Sequence, residues 1–195
     1  METIAPFDID VCGIDELPGH CATGVTHVLS ILDPTYPVPE AFGSFGEHER
    51  LELRFDDVIE ETRGMVTPRE EHVAQVLGFG RDLLAEADDD AHLLVHCHAG
   101  VSRSTASMIL ILAQALPQRP ASEIVCEVLR IRPQAWPNLR ILEMGDAMLG
   151  RDGAIVAAAP IAYVAQLNRQ PEFADLMILS GRGREVAAAR ARKAA

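Results

Sequence analysis

One stretch of the chain combines chemically capable residues at a spacing that lets them act together: His96-Cys97-His98-Ala99-Gly100-Val101-Ser102-Arg103-Ser104. Cys97 comes two residues after the apolar run Leu93-Leu94-Val95, and helical periodicity begins at Ser102. A strand that ends in a cysteine and turns tightly into a helix converges successive backbone N–H groups on one centre, a nest for an anion. The helix N-terminus adds partial positive charge and free donors there. Arg103 supplies a planar fork suited to two oxygens of a tetrahedral oxyanion such as phosphate. The same surroundings favour a thiolate over a thiol, which makes Cys97 a nucleophile aimed at the centre of that anion. Gly100 permits a positive φ or a close approach to the ligand. Ser104 is placed to donate a hydrogen bond to the Cys97 sulfur. His98, Ala99, Gly100, Val101, Ser102 and Arg103 together form the expected phosphate-binding loop, with His96 as a support that orients it.

The elements that must position this loop follow from the apolar pattern. Alternation marks strands at 7–14, at 25–32 and at Leu51, Leu53 and Phe55, the last running into Asp56-Asp57. The continuous apolar run at 93–95 is that of a fully buried central strand. Thr67-Pro68-Arg69-Glu70 reads as a helix start with Thr67 as cap, and the acidic turn Asp88-Asp89-Asp90 closes that helix. Further helices are expected from Ser102 to Leu116, over 121–131 and over 138–149. Strands alternating with helices predict an α/β fold, a central and mostly parallel sheet flanked by helices. The domain is expected over 1–153, followed by a helical, Ala-rich C-terminal extension over 154–195, packed on the domain or used as an oligomer contact.

Composition narrows the class. The chain has 195 residues, is 48% hydrophobic and carries a formal charge of −12, so it can bury a core. Residues 1–181 hold 12 basic and 28 acidic side chains, a field that repels nucleic acid and anionic membranes. The basic cluster Arg182, Arg184, Arg190, Arg192 and Lys193 is read as a solvated helix end. No apolar stretch reaches the length of a membrane span and no leader pattern opens the chain, so a soluble, cytoplasmic protein with reduced thiols is expected. Neither nucleic acid nor membrane is an expected partner, and the oligomeric state stays open.

The string His-Cys-x-x-Gly-x-Ser-Arg-Ser resembles the Cys-x5-Arg signature of the protein tyrosine phosphatase superfamily, in its dual-specificity branch. The resemblance spans about 7–150 and includes the Pro137-Asn138 step before the last helix of that span. Arginine used almost to the exclusion of lysine suggests a GC-rich, bacterial member. The resemblance implies a phosphomonoester hydrolase without metal or other cofactor, acting on phosphotyrosine of proteins first and on phosphoserine or phosphothreonine beside it. It implies attack by Cys97 to give a phosphocysteine, with an upstream aspartate first as acid and then as base. Asp56 and Asp57 are the candidates. Asp57 is preferred because it is in phase with Leu51, Leu53 and Phe55, and Asp56 is the alternative.

Other readings compete. His92, His96, Cys97 and His98 contain metal-ligating types, yet consecutive side chains point apart. Low-molecular-weight phosphatases carry the cysteine loop near the N-terminus, phosphoinositide 3-phosphatases place lysines in it, and rhodaneses lack this spacing to arginine. A pseudophosphatase that binds phosphate without turnover, or a phosphatase of a small soluble metabolite, remains as an alternative. Cys12, Cys21 and Cys126 read as small apolar residues, any one of which could resolve an oxidised Cys97. Trp136 reads as core packing ahead of a substrate platform, and Arg132 as either solvated or pocket-lining.

Overall fold

A computed structural model of the chain describes residues 3–86 and 90–194. Four strands, β1 (Asp8–Cys12), β2 (His27–Leu32), β3 (Glu49–Arg54) and β4 (His92–His96), form one sheet in the order β1-β4-β2-β3. Every pair is parallel, in the expected α/β pattern. β4 lies inside the sheet, and Leu93, Leu94, Val95 and His96 have no exposed surface. Its register sets Val11 and Cys12 of β1 beside Val95 and His96, and Ser30 of β2 on the other side of His96.

Eight helices follow the expected pattern with shifts at their ends: α1 (Glu70–Glu86), α2 (Arg103–Ala115), α3 (Ala121–Ile131), α4 (Leu139–Met148), α5 (Ala154–Ala158), α6 (Pro160–Arg169), α7 (Phe173–Leu179) and α8 (Gly183–Ala194). The cap expected at Thr67 is not formed. Its buried hydroxyl donates to Glu61 at 3.2 Å, and α1 starts three residues later with the Arg69 N–H bonded to His72 Nδ1 at 3.1 Å. The segment before α1 is tied elsewhere: Arg140 of α4 holds Glu61 and the Pro68 carbonyl. Asp88 and Asp89 of the acidic turn lie outside the described residues.

α2 is buried on every side from Arg103 to Ala113, as befits a helix enclosed by the sheet and by α1, α3 and α4. A helix so enclosed cannot drift, which fixes the residues at its N-terminus. The C-terminal helices are joined to the same hydrophobic cluster, which runs from Phe7 to Ala189. Asp146 of α4 accepts from the N–H groups of Gly153, Ile155 and Val156 and so anchors the start of α5. From α6, Tyr163 donates to the Pro137 carbonyl at 2.7 Å and Gln166 to that of Pro133 at 2.6 Å. Both bonds clamp the 133–137 loop against the end of the sheet where the cysteine lies. No helix among the described residues is long and apolar enough to cross a membrane.

Candidate active site

Cys97 leaves the C-terminal end of β4, the usual place for a ligand crevice in a parallel sheet. The turn from His98 to Ser102 is held by its carbonyls. The His98 oxygen accepts from Ile14 N–H, and the Ala99 and Gly100 oxygens accept from Nη2 and Nε of Arg132. The Val101 and Ser102 oxygens accept from the N–H groups of Trp136 and Asn138. With all five carbonyls drawn outward, the alternate side of each peptide faces in. None of the N–H groups from Ala99 to Arg103, which share those peptides, donates to another of the described residues. Amides gathered in this way make a nest suited to an anion.

Gly100 meets two demands. Its φ is +66°, and a Cβ there would lie 2.4 Å from the Cys12 carbonyl carbon. Arg132 is neither solvated nor pocket-lining, the two roles expected for it. It is buried and bridges the loop to Glu16, which also accepts from Gly13 N–H at 2.5 Å.

Inside the cradle, Ser104 Oγ lies 3.2 Å from Cys97 Sγ. The Arg103 guanidinium is buried, and its Nη1 donates to Asp33 Oδ1 at 2.7 Å and to the Phe55 carbonyl at 2.6 Å. Its Nε has no partner among the described residues. One edge of the fork is thus fixed by protein while a buried donor stays available to a ligand, because an unsatisfied buried donor is costly until an acceptor arrives.

The two aspartates part company after β3. Asp56 turns outward and accepts from Val66 N–H at 2.6 Å. Asp57 sits between Phe55 and Ile59, both buried in the core, and reaches the cavity beside Cys97. Its Oδ1 accepts from Ser102 Oγ at 2.7 Å and from Asn138 Nδ2 at 2.9 Å; Oδ2 meets Arg182 Nη1 at 3.3 Å. Burial by itself would push this carboxyl up. The guanidiniums of Arg182 and Arg103, with the two hydrogen bonds, outweigh that and hold it below the usual carboxylate range.

The histidines around the cysteine diverge. His96 is buried, with Nε2 2.7 Å from Ser30 Oγ, and burial lowers it to about 4, so it is neutral. His98 Nε2 accepts from Asp33 N–H at 3.1 Å, and its ring packs on Tyr36. That acceptor role, and burial that lowers its pKa, make the 3.5 Å approach to the Asp33 carboxylate a contact of a neutral ring. No group of three metal-ligating side chains occurs among the described residues. Cys12 is buried and its thiol is pushed up to about 12 by burial, whereas Cys126 is exposed, unlike the small apolar residue expected there.

The cavity has a volume of about 330 Å³, with Cys97, Arg103 and Asp57 joined by Trp136, Phe173, Met177 and Arg182. Trp136 is fully buried, as expected, and also forms part of this wall. Phe173, Met177 and Arg182 come from the C-terminal segment. Arg182 overturns the reading of the basic cluster as solvated: it is buried and paired with Glu185 and Asp57. Arg184 likewise pairs with Glu60 and Glu143, while Arg190, Arg192 and Lys193 are exposed. Sequence assigns Asp33, Asn138, Arg182 and Glu185 no part in the site: Asn138 is marked only by the Pro137-Asn138 step before a helix, and Arg182 only as a member of the basic cluster.

The parallel sheet flanked by helices is similar in fold to solved structures of dual-specificity and tyrosine phosphatases. The structure is similar to human DUSP28 (TM-score 0.55, 15% identity, 77% of this chain and 99% of that one). It is also similar to Tk-PTP in its active form (TM-score 0.51, 18% identity, 74% and 92%). PTPMT1 in complex with PI(5)P is a further likeness (TM-score 0.51, 16% identity, 78% and 94%). No family model matches the sequence, and no curated protein does.

Proposed function

We propose that this chain is a cysteine-dependent phosphomonoester hydrolase that takes phosphotyrosine in proteins as its leading substrate. The observation that carries the reading is the cradle itself. Five carbonyls are turned outward, their amides are free, and Arg103, its Nε unpartnered among the described residues, lines the same cavity as Cys97. A phosphoryl group seated there has its equatorial oxygens held by amides and guanidinium, which strengthen as charge moves onto them in the transition state.

Cys97 Sγ attacks phosphorus as the ester P–O bond breaks, and Asp57 gives its proton to the departing oxygen. The S–P bond of the phosphocysteine is then broken by water, whose proton returns to Asp57, releasing phosphate and the Cys97 thiolate. Ser104 stabilises the sulfur as it departs. The apolar side chains of Trp136, Phe173 and Met177 flank the approach to Cys97 and suit an aromatic leaving group.

Hydrolysis of p-nitrophenyl phosphate in the presence of a chelator tests the reading. Wild type is expected to turn over, and Cys97→Ser and Arg103→Ala to lose that activity. A phosphotyrosine peptide is expected to outrun a phosphoserine peptide and PI(5)P. Wild type that binds vanadate yet turns over no ester would replace the enzyme by a phosphate-binding interaction module.

A further inference from the structure

We infer that Arg182, held by Glu185 in the C-terminal segment, is a positioning residue for Asp57 that sets the pH range over which Asp57 can donate its proton. The inference rests on the reading of Asp57 as the proton donor. Arg182 belongs to the turn between α7 and α8, outside the span that resembles the phosphatase family, yet its Nη1 lies 3.3 Å from Asp57 Oδ2.

Its posture is built rather than incidental. Glu185 takes Nε at 2.7 Å and Nη2 at 2.8 Å in a bidentate pair, and both side chains are almost fully buried. Glu185 is fixed in turn by the Trp136 indole N–H and by Leu139 N–H at 2.9 Å. Trp136 N–H and Asn138 N–H hold loop carbonyls, so one network joins the cradle, the proton donor and α8.

Two roles are open to a guanidinium at this wall: clamping a second anionic group of the substrate, or holding Asp57. The first is disfavoured because Glu185 occupies the Nε–Nη2 edge and Asp57 occupies Nη1, so two carboxylates already neutralise it. The second follows from geometry. The groups that face Asp57 are Arg182 from this turn, Arg103 from α2, the uncharged Ser102 and Asn138, and Cys97 and His98 across the cavity. Asp56 is turned away to Val66 N–H, and Glu185 stands behind Arg182. Arg103 is committed to Asp33, Phe55 and the incoming phosphoryl group, which leaves Arg182 as the cation that the substrate does not share.

The test is the pH dependence of kcat/KM with p-nitrophenyl phosphate for wild type, Arg182→Met, Arg182→Lys, Glu185→Gln and Asp57→Asn, alongside a 13C-carboxyl titration of Asp57. Loss of the cation is expected to move the basic limb of Arg182→Met to higher pH by about one unit, the scale on which a neighbouring charge acts. The Asp57 titration is expected to move with it. Arg182→Lys should restore most of the wild-type position, and Glu185→Gln, which keeps the shape of the anchor but removes the carboxylate that offsets the guanidinium, should move the limb the other way, to lower pH. Arg182→Met added to Asp57→Asn should move nothing further.

A purely structural role would lower the rate at every pH and leave the limb in place, and that result would overturn the inference. Should Arg182→Met not fold, Arg182→Gln and Glu185→Gln carry the comparison, with limbs expected to move in opposite directions. A wild type without turnover would overturn the phosphatase reading, while an unmoved Asp57 titration in an active enzyme would overturn only this one.

Discussion

Arg103 and Asp33 stand 70 positions apart in the chain and 2.7 Å apart in the fold, Nη1 of the arginine donating to Oδ1 of the aspartate. The Phe55 carbonyl takes the same nitrogen, so two acceptors from the ends of β2 and β3 aim a side chain that opens α2. The arginine is thereby held in one orientation by protein groups alone.

Asp33→Ala should therefore weaken the oxyanion site without touching the nucleophile. A misplaced guanidinium is expected to lower kcat/KM for an aryl phosphate by about 10- to 100-fold. Competitive inhibition by vanadate should weaken in parallel. Kinetic constants equal to those of wild type would show that Arg103 needs no such partner.

Gly100→Ala should cost stability as well as function. The left-handed φ of +66° is strained for alanine, and the new methyl would meet the Cys12 carbonyl carbon at 2.4 Å. A loss of roughly 2 kcal/mol or more is expected, or about 4–8 °C in Tm for a chain of this size. Gly64→Ala is the control: φ is +83°, but nothing lies within 4 Å of its Cβ position, so it should cost less. Thermal melts of the two variants separate backbone strain from the clash with β1.

Asp57 predicts an acidic optimum. Its carboxyl is held below the usual range, so the fraction that carries a proton falls as pH rises from the acid side. The basic limb of kcat/KM should then lie below neutrality. Asp57→Asn should abolish the limb, whereas Asp56→Asn keeps the wild-type shape, since Asp56 only bonds Val66 N–H. The same depressed group contributes stability above its unfolded value of about 4, and that contribution disappears as pH falls through its folded value. Rate profiles of the two variants against wild type check the first claim.

His96 makes a separate prediction about acid stability. Burial lowers it from 6.5 to about 4, so the folded chain resists protonating it. Its stabilising contribution is whole above pH 6.5 and is lost as pH falls toward 4. Converted at 1.36 kcal/mol per unit, the difference is about 3 kcal/mol. Urea midpoints between pH 7 and pH 4 should fall for wild type, and His96→Asn should flatten that part of the curve. His92, whose bond to Asp10 raises its pKa, acts in the opposite sense and is common to both proteins.

Some of this was readable from the chain. Leu93-Leu94-Val95 announces a buried central strand, and β4 is that strand, because an all-apolar run has no solvent-facing side. The cradle from Cys97 to Ser104 is also legible, since its parts are eight neighbours whose covalent spacing and helix start confine them. The alternation Leu51, Leu53, Phe55 carried on to Asp57 after the strand had ended, because Phe55 and Ile59 both insert into the core and keep the phase. At Thr67 the capping signal failed: its hydroxyl bonds Glu61, six residues back in the same loop, instead of the helix.

By itself the sequence determined the α/β class, the order of elements and the cysteine-bearing turn between strand and helix, all of which depend on residues within a few positions of one another. Tertiary structure alone decided which groups surround that turn. Arg132, Asn138 and Arg182 read as an arginine either solvated or pocket-lining, a helix start and a solvated helix end, and Asp33 carries no signal of its own. Each becomes part of the site through partners far along the chain, Arg182 meeting Asp57 across 125 positions. Local pattern reports burial and periodicity, but the partner of a buried charge is chosen by the packing of the whole fold, which must place an opposite charge beside every one it removes from water.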